Sequence, residues 1–325
     1  MPNARSSDTS NYESLRQQRR DQMSAIVWNT DFRWWKQTSG PVITEPAHTE
    51  FWYGNPPFYV SILNPAPGTL AGDLLTLSRD IPSAFYDQNV EINGDVVKIL
   101  GSEEVKPLPD WEAMDSVRDD ILPGPELTQL PIVTVDDTLH FVKTCRSKYE
   151  ILNLLKCRGC PHVVQLLGRT EDGQLVFEKH PSDLMKVMAL TAVDVKRRLL
   201  QVIDVMEALH TRGIVHRDVV ARNFLITADD TLVACDLETD FASATCKAPE
   251  LFVDNPTYTF ESDVYGIGTL LWTLCYFNYP RLLSFYDTFP PPPPFEAVFF
   301  ACLDPDVKRR PTLRELRVMA EDIQC

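Results

Sequence analysis

The chain is 325 residues long, 44% hydrophobic and 24% charged, with a net charge of −15. That length holds one large or two modest domains, and the apolar fraction suits a packed interior. The acidic balance excludes a general nucleic-acid or anionic-membrane binder, because its field repels phosphate.

Met1 to Gln22 is polar without an apolar core, so a secretory signal is not expected, and 1–24 reads as a disordered tail. The stretch 25–122 is rich in aromatics (Trp28, Phe32, Trp34, Trp35, Phe51, Trp52, Tyr53) and in proline. It has enough apolar mass to pack, with an exposed aromatic docking face as the alternative. Within it, Val90 to Val97 reads as a hairpin around Asn93-Gly94, which fits a type I′ turn. No motif in this region reports a function.

Pro123-Gly124-Pro125 marks a boundary. Beyond it, Ile132 to Val135 and Leu139 to Lys143 read as a second hairpin. A helix is expected over Ser147 to Lys156, with Ile151, Leu154 and Leu155 on one face, then strands at Val163–Leu167 and Leu175–Phe177. From Asp183 onward the pattern is helical, apart from two short strands, Phe224–Thr227 and Leu232–Cys235. The longest apolar run, Tyr265 to Tyr279, is too short to span a bilayer. The eight cysteines are spread through apolar segments. Cys157 and Cys160 have no second pair at zinc-site spacing, so reduced thiols in an intracellular (cytoplasmic or nuclear) compartment are the expectation.

The chemistry is concentrated between the two short strands. His216-Arg217-Asp218 is followed by Asn223 five residues after the aspartate, and Asp236 ends the second strand. Two carboxylates and a carboxamide at strand and loop ends suit Mg²⁺, which takes hard oxygen ligands and keeps several waters. The run H-R-D-x-x-x-x-N resembles the catalytic loop of the eukaryotic protein kinases. Ala248-Pro249-Glu250, Asp263-Val264-Tyr265-Gly266 and Asp304-Pro305 through Arg310-Pro311-Thr312 follow in that family's order. The tetrapeptide Cys235-Asp236-Leu237-Glu238 and the compact length are similar to kinase-like chains of filamentous fungi.

The resemblance implies an α+β, bilobal protein-kinase-like fold over 123–325: a small β-rich N-lobe at 123–179 and a helical C-lobe at 180–325. It implies ATP and Mg²⁺ as cofactors and a protein hydroxyl as acceptor. In that family Asp218 orients or accepts the hydroxyl proton, and Asn223 and Asp236 hold metal. Lys143 contacts the phosphates and pairs with Glu150, although Glu150 follows at an unusually short spacing. Lys98 copies the strand motif on the wrong side of the boundary. Glu178 opens the hinge beside a bulky Phe177. Arg222, four residues after Asp218, adds positive charge at the γ-phosphate. His216, Leu237, Leu154 and Leu166 stack as an apolar spine. Glu250 pairs with Arg310, and Asp263 braces the catalytic loop.

Three departures stand against this. Leu127 to Ile132 contains no glycine-rich loop to cradle phosphates. Glu238 replaces the third residue of D-F-G, a glycine. Only a short segment links Leu237 to Pro249, and it leaves Arg217 without a long phosphorylated partner loop; Thr239, Ser243 and Thr245 lie within it. The alternatives are therefore an ATP- and Mg-dependent protein kinase, a pseudokinase acting as a scaffold, and a small-molecule phosphotransferase. The run Pro290 to Pro294 reads as polyproline II, a spacer between helices or a ligand for a proline-reading module.

Overall fold

In the computed structural model the described residues are 7–27, 42–44, 48–53, 58–66, 68–75, 81–107, 122–186, 191–237, 243, 246–251, 253, 256–276, 286–287 and 289–325. Glu238, Thr239, Thr245, Trp28, Phe32, Trp34 and Trp35 lie outside them. The chain divides into two compact units, Gln17–Ser116 and a second made of Met1–Arg16 with Val117–Cys325.

The first helix, α1 (Ser7–Val27), stands where the sequence reading expects a disordered tail, 1–24, of which residues 1–6 lie outside the described ones. Polar composition hides an anchor, because Tyr12 is 1% exposed and meets Phe295 edge-on at 5.4 Å. One large buried ring organises a helix that composition alone reads as solvated.

The unit Gln17–Ser116 is built on a sheet in the order β1 (Val42–Thr44), β2 (His48–Tyr53), β3 (Phe58–Leu63), β4 (Val90–Asn93), β5 (Val96–Ile99). The pair β3–β4 is parallel and the other pairs are antiparallel. A parallel pair needs a crossover, and the short helix α2 (Leu70–Leu75) lies on it. The β4–β5 hairpin turns at Gly94, whose φ of +58° is why glycine stands there. Trp52 and Tyr59 pack together at 5.4 Å with Leu100, so these two aromatics are core.

The other unit begins its regular structure with α3 (Pro125–Thr128). A three-stranded sheet follows, in the order β6 (His140–Lys143), β8 (Leu175–Glu178), β7 (Leu166–Arg169). The predicted hairpin of Ile132–Val135 with Leu139–Lys143 does not form. Val133 donates to the Arg169 carbonyl (2.8 Å) and Arg169 to that of Pro131 (2.9 Å), so this stretch runs beside β7. Alternation predicts a strand but not its partner. Gly168 permits the approach, since a Cβ there would meet the Pro131 carbonyl oxygen at 2.2 Å.

Between β6 and β7 lies α4 (Lys148–Lys156), capped by the Ser147 hydroxyl accepting from the Tyr149 amide. Ile151 and Leu154 are buried, but Leu155 is exposed, contrary to its expected place on the same face. After the two-residue strand β9 (Ser182–Asp183) the unit is mainly helical. The helix α5 (Ala192–His210) starts with a capping box between Thr191 and Asp194. Strands β10 (Phe224–Ile226) and β11 (Leu232–Ala234) form an antiparallel pair, extended by β9 on the β10 side. The helix α6 (Phe260–Tyr276) is buried from Ser262 to Tyr276 and is the hub of the helical part. It packs on α5 and on α7 (Glu296–Cys302), and α8 (Leu313–Glu321) closes the unit against α5. The proline run lies against α6: Trp272 donates to the Phe289 carbonyl (2.7 Å), Tyr276 to that of Pro290, and Pro291 and Pro292 are buried.

Candidate active site

Two groups of polar side chains form around the β10–β11 hairpin. In the first, Lys143 at the end of β6 donates from Nζ to Glu150 Oε1 at 2.9 Å and also to Asp236 Oδ1. The short spacing of Lys143 and Glu150 is accommodated because Ser147 starts α4 at once. Glu150 then falls in its first turn, 1% exposed. Asp236 follows β11 with φ +61°, a left-handed conformation that costs a non-glycine residue energy and persists only when its surroundings impose it. Asn153, one turn along α4 from Glu150, donates to the Leu237 carbonyl at 3.0 Å and ties the helix to the residue after Asp236.

In the second group Asp218 is central and 7% exposed. Its Oδ2 accepts from Arg222 Nη2 and Asn223 Nδ2, each at 2.9 Å. Its Oδ1 accepts from the Ser243 amide at 2.8 Å and the Cys246 thiol at 3.4 Å. Burial alone would raise the pKa of this carboxyl; hydrogen bonds from Ser243, the Arg222 charge and the Cys246 thiol outweigh it and hold the acid below its ordinary range. Asn223 also donates to the Asp218 backbone carbonyl at 2.9 Å, so its nitrogen is committed and its Oδ1 remains for a cation. Arg222 reaches the Ser243 hydroxyl at 2.7 Å.

The loop carrying these groups is held from below. Asp263 accepts the amides of His216 and Arg217, both at 2.8 Å, while Arg217 sits at φ +71°. His210 adds a third contact to Asp263 at 2.9 Å. His216 itself is fully buried and stacks on Phe224. Leu237 and Leu154 are buried with it, whereas Leu166 is only partly so. Glu250 and Arg310 form a two-pronged pair at 2.6 and 2.7 Å.

Lys143, Glu150 and Asp236 are thus brought together, as are Asp218, Arg222 and Asn223. Glu178 is brought to neither group: it is exposed at the end of β8, opposite His140. Lys98 lies in the other unit and pairs with Glu104 at 2.5 Å. Sequence reasoning missed Asn153, His210 and Cys246, since a carboxamide, an imidazole and a thiol at non-motif positions carry no pattern. Ser243 was noted only as a hydroxyl, not as a backbone donor to Asp218. Burial pushes the Cys157 thiol up to about 11, so Cys157 is held as a thiol, and among the described residues no three His, Cys, Asp or Glu converge to hold a metal.

Comparison with known proteins places this region in a family. Residues 135–284 match the model of the protein kinase domain. Over 162 residues the chain is 26% identical to the probable serine/threonine-protein kinase glkA of Dictyostelium discoideum, covering 44% of this chain and 34% of that protein. Over 105 residues it is 39% identical to cyclin-dependent kinase F-1 of Oryza sativa subsp. japonica, covering 28% of this chain and 22% of that protein. The matched region thus spans about a third and about a fifth of these two relatives. The matched residues, 135–284, are thus a region of the eukaryotic protein kinase type, and the sheet-bearing and helical parts are the two lobes of that α+β fold. Among the described residues no helix is long and apolar enough to cross a membrane.

Proposed function

We propose that this domain is an ATP- and Mg²⁺-dependent protein kinase acting on a protein hydroxyl. The observation that carries the reading is the position of Lys143, bonded at once to Glu150 and Asp236. Such a lysine is already placed to meet phosphate oxygens.

The donor set fits magnesium. Asn223 Oδ1 and the Asp236 carboxylate are hard oxygens, and a site with few protein ligands suits an ion that retains water and phosphate oxygens. Bound MgATP supplies the phosphoryl group. The chain's residues supply position and charge: Lys143 holds the α- and β-phosphates, Arg222 offsets charge at the γ-phosphate, and Asp218 takes the proton of the attacking hydroxyl. Asp263 fixes the loop on which three of these groups sit.

A second reading, a nucleotide-binding scaffold with little turnover, draws on one observation. The segment that would carry a glycine-rich loop contains none, and Pro131–Val133 runs beside β7 instead of covering β6. A thermal-shift titration with ATP, with and without Mg²⁺, tests the nucleotide site. A ligand at a hundred times its Kd stabilises the fold by about 2.7 kcal/mol. An upward shift that needs Mg²⁺ and is lost in Asp236→Asn is expected. No shift at millimolar ATP would rule the kinase reading out.

A further inference from the structure

An ionised carboxylate offers about four acceptor positions. On Asp218 four donors occupy them: Arg222 and Asn223 on Oδ2, the Ser243 amide and the Cys246 thiol on Oδ1. A hydroxyl arriving to surrender its proton finds no vacant lone pair, so one donor must leave. The Ser243 amide is part of a turn closed by the Cys246 amide on the Ser243 carbonyl at 3.0 Å. Arg222 is charged, and Asn223 is anchored a second time on the Asp218 carbonyl. The thiol is the weakest of the four donors and the longest bond.

The thiol also has somewhere to go. The Ser243 carbonyl lies 3.4 Å from Cys246 Sγ and the Arg217 carbonyl 4.0 Å. Rotation about the Cα–Cβ bond or of the S–H proton can shift the donor from carboxylate to carbonyl without orphaning it. The side chain is 2% exposed and packed with Val220 and Tyr258, which restricts the sulfur to this neighbourhood. Burial and the adjacent Asp218 charge push its pKa well above the ordinary thiol value, so the proton is present to donate.

We propose that Cys246 is a positioning residue for Asp218, whose thiol occupies the last acceptor position of the base and is the donor that an incoming hydroxyl displaces. The inference rests on the reading of Asp218 as the base. It makes the Ser243–Cys246 turn a brake on transfer that leaves nucleotide binding untouched.

The test compares Cys246→Ala with Cys246→Ser in the full chain. Alanine vacates the position, and kcat for transfer from labelled ATP to casein or to the chain itself should rise several-fold with KM for ATP unchanged. Serine supplies a stronger donor and should lower kcat. Lower kcat in both variants, or no change in either, overturns the proposal. An infrared measurement reads the contact without activity. The S–H stretching band lost in Cys246→Ala should lie at low frequency in the wild type and move up in Asp218→Asn; a band unmoved by that substitution also overturns it. If MgATP binds but none of the three proteins transfers phosphate, the brake is refuted and the nucleotide site stands. If MgATP does not bind, the kinase reading falls and the infrared result alone decides the contact.

Discussion

Lys143 serves two acids at once, one of them buried, and removal of the cation leaves Glu150 charged in a poorly solvated place. Breaking such a pair costs about 3 kcal/mol or more. Lys143→Met should therefore lower stability in urea denaturation by about that amount and abolish the Mg-dependent nucleotide shift. Wild-type stability in the variant would mean that Glu150 is neutralised by another route. Asp263→Ala makes the complementary case. It strips acceptors from the His216 and Arg217 amides, each worth about 1–3 kcal/mol when left unsatisfied. Stability and transfer should fall together. Of these residues, Asp218 and Asp263 were legible because each belongs to a motif whose order along the chain is itself informative, whereas Lys143 was read from its strand end and Glu150 only as its candidate partner at an unusually short spacing. Cys246 was not legible, because its role depends on a turn that folds back over 28 residues to Asp218, and nothing local in the sequence encodes that return.

The elements show what such positions cost. On α6, Gly266 faces the loop that carries Asp218, and a Cβ there would meet the Val219 Cβ at 2.8 Å. Val219 adjoins Asp218 and its Cβ cannot swing away as a side-chain tip can. Gly266→Ala should destabilise by about 1–3 kcal/mol, as overpacking does, and lower kcat further than the stability loss accounts for. A variant with intact kcat would show that the loop tolerates the shift. Thr191→Ala, which breaks the capping box of α5 far from the site, should cost about 1 kcal/mol and leave kcat unchanged. Periodicity made α4 and the helical run after Asp183 readable, the Asn93-Gly94 turn signal gave the β4–β5 hairpin, and resemblance gave α6. Periodicity failed at 131–135, where the strand-like stretch takes β7 rather than β6, and at α1, whose one buried ring is invisible to composition.

At the scale of the molecule, the net charge of −15 couples stability to acid. In Glu250, burial alone would raise the pKa, but the Arg310 hydrogen bonds outweigh it and leave it lowered; Asp230 is lowered by its bonds to Arg198 and Arg197, and Asp218 by the balance described above. A carboxyl whose folded pKa lies below its unfolded value stabilises the fold above the unfolded value. That contribution is lost as pH falls through the folded one. Stability should hold from neutral pH to about 5 and decline below about 4, where unfolded carboxyls take up protons first. A midpoint denaturant concentration that rises on acidification would contradict this.

The docking of Tyr12 on Phe295 sets a timetable as well as a contact. The two rings leave the ribosome roughly 280 residues apart, which at about 5–20 residues per second is roughly 15–60 s of synthesis. For that interval the start of α1 has no surface to settle on, while the sheet of Gln17–Ser116 is free to form. The kinase-bearing unit, holding both Tyr12 and Phe295, is sealed only after the whole stretch between them has been made.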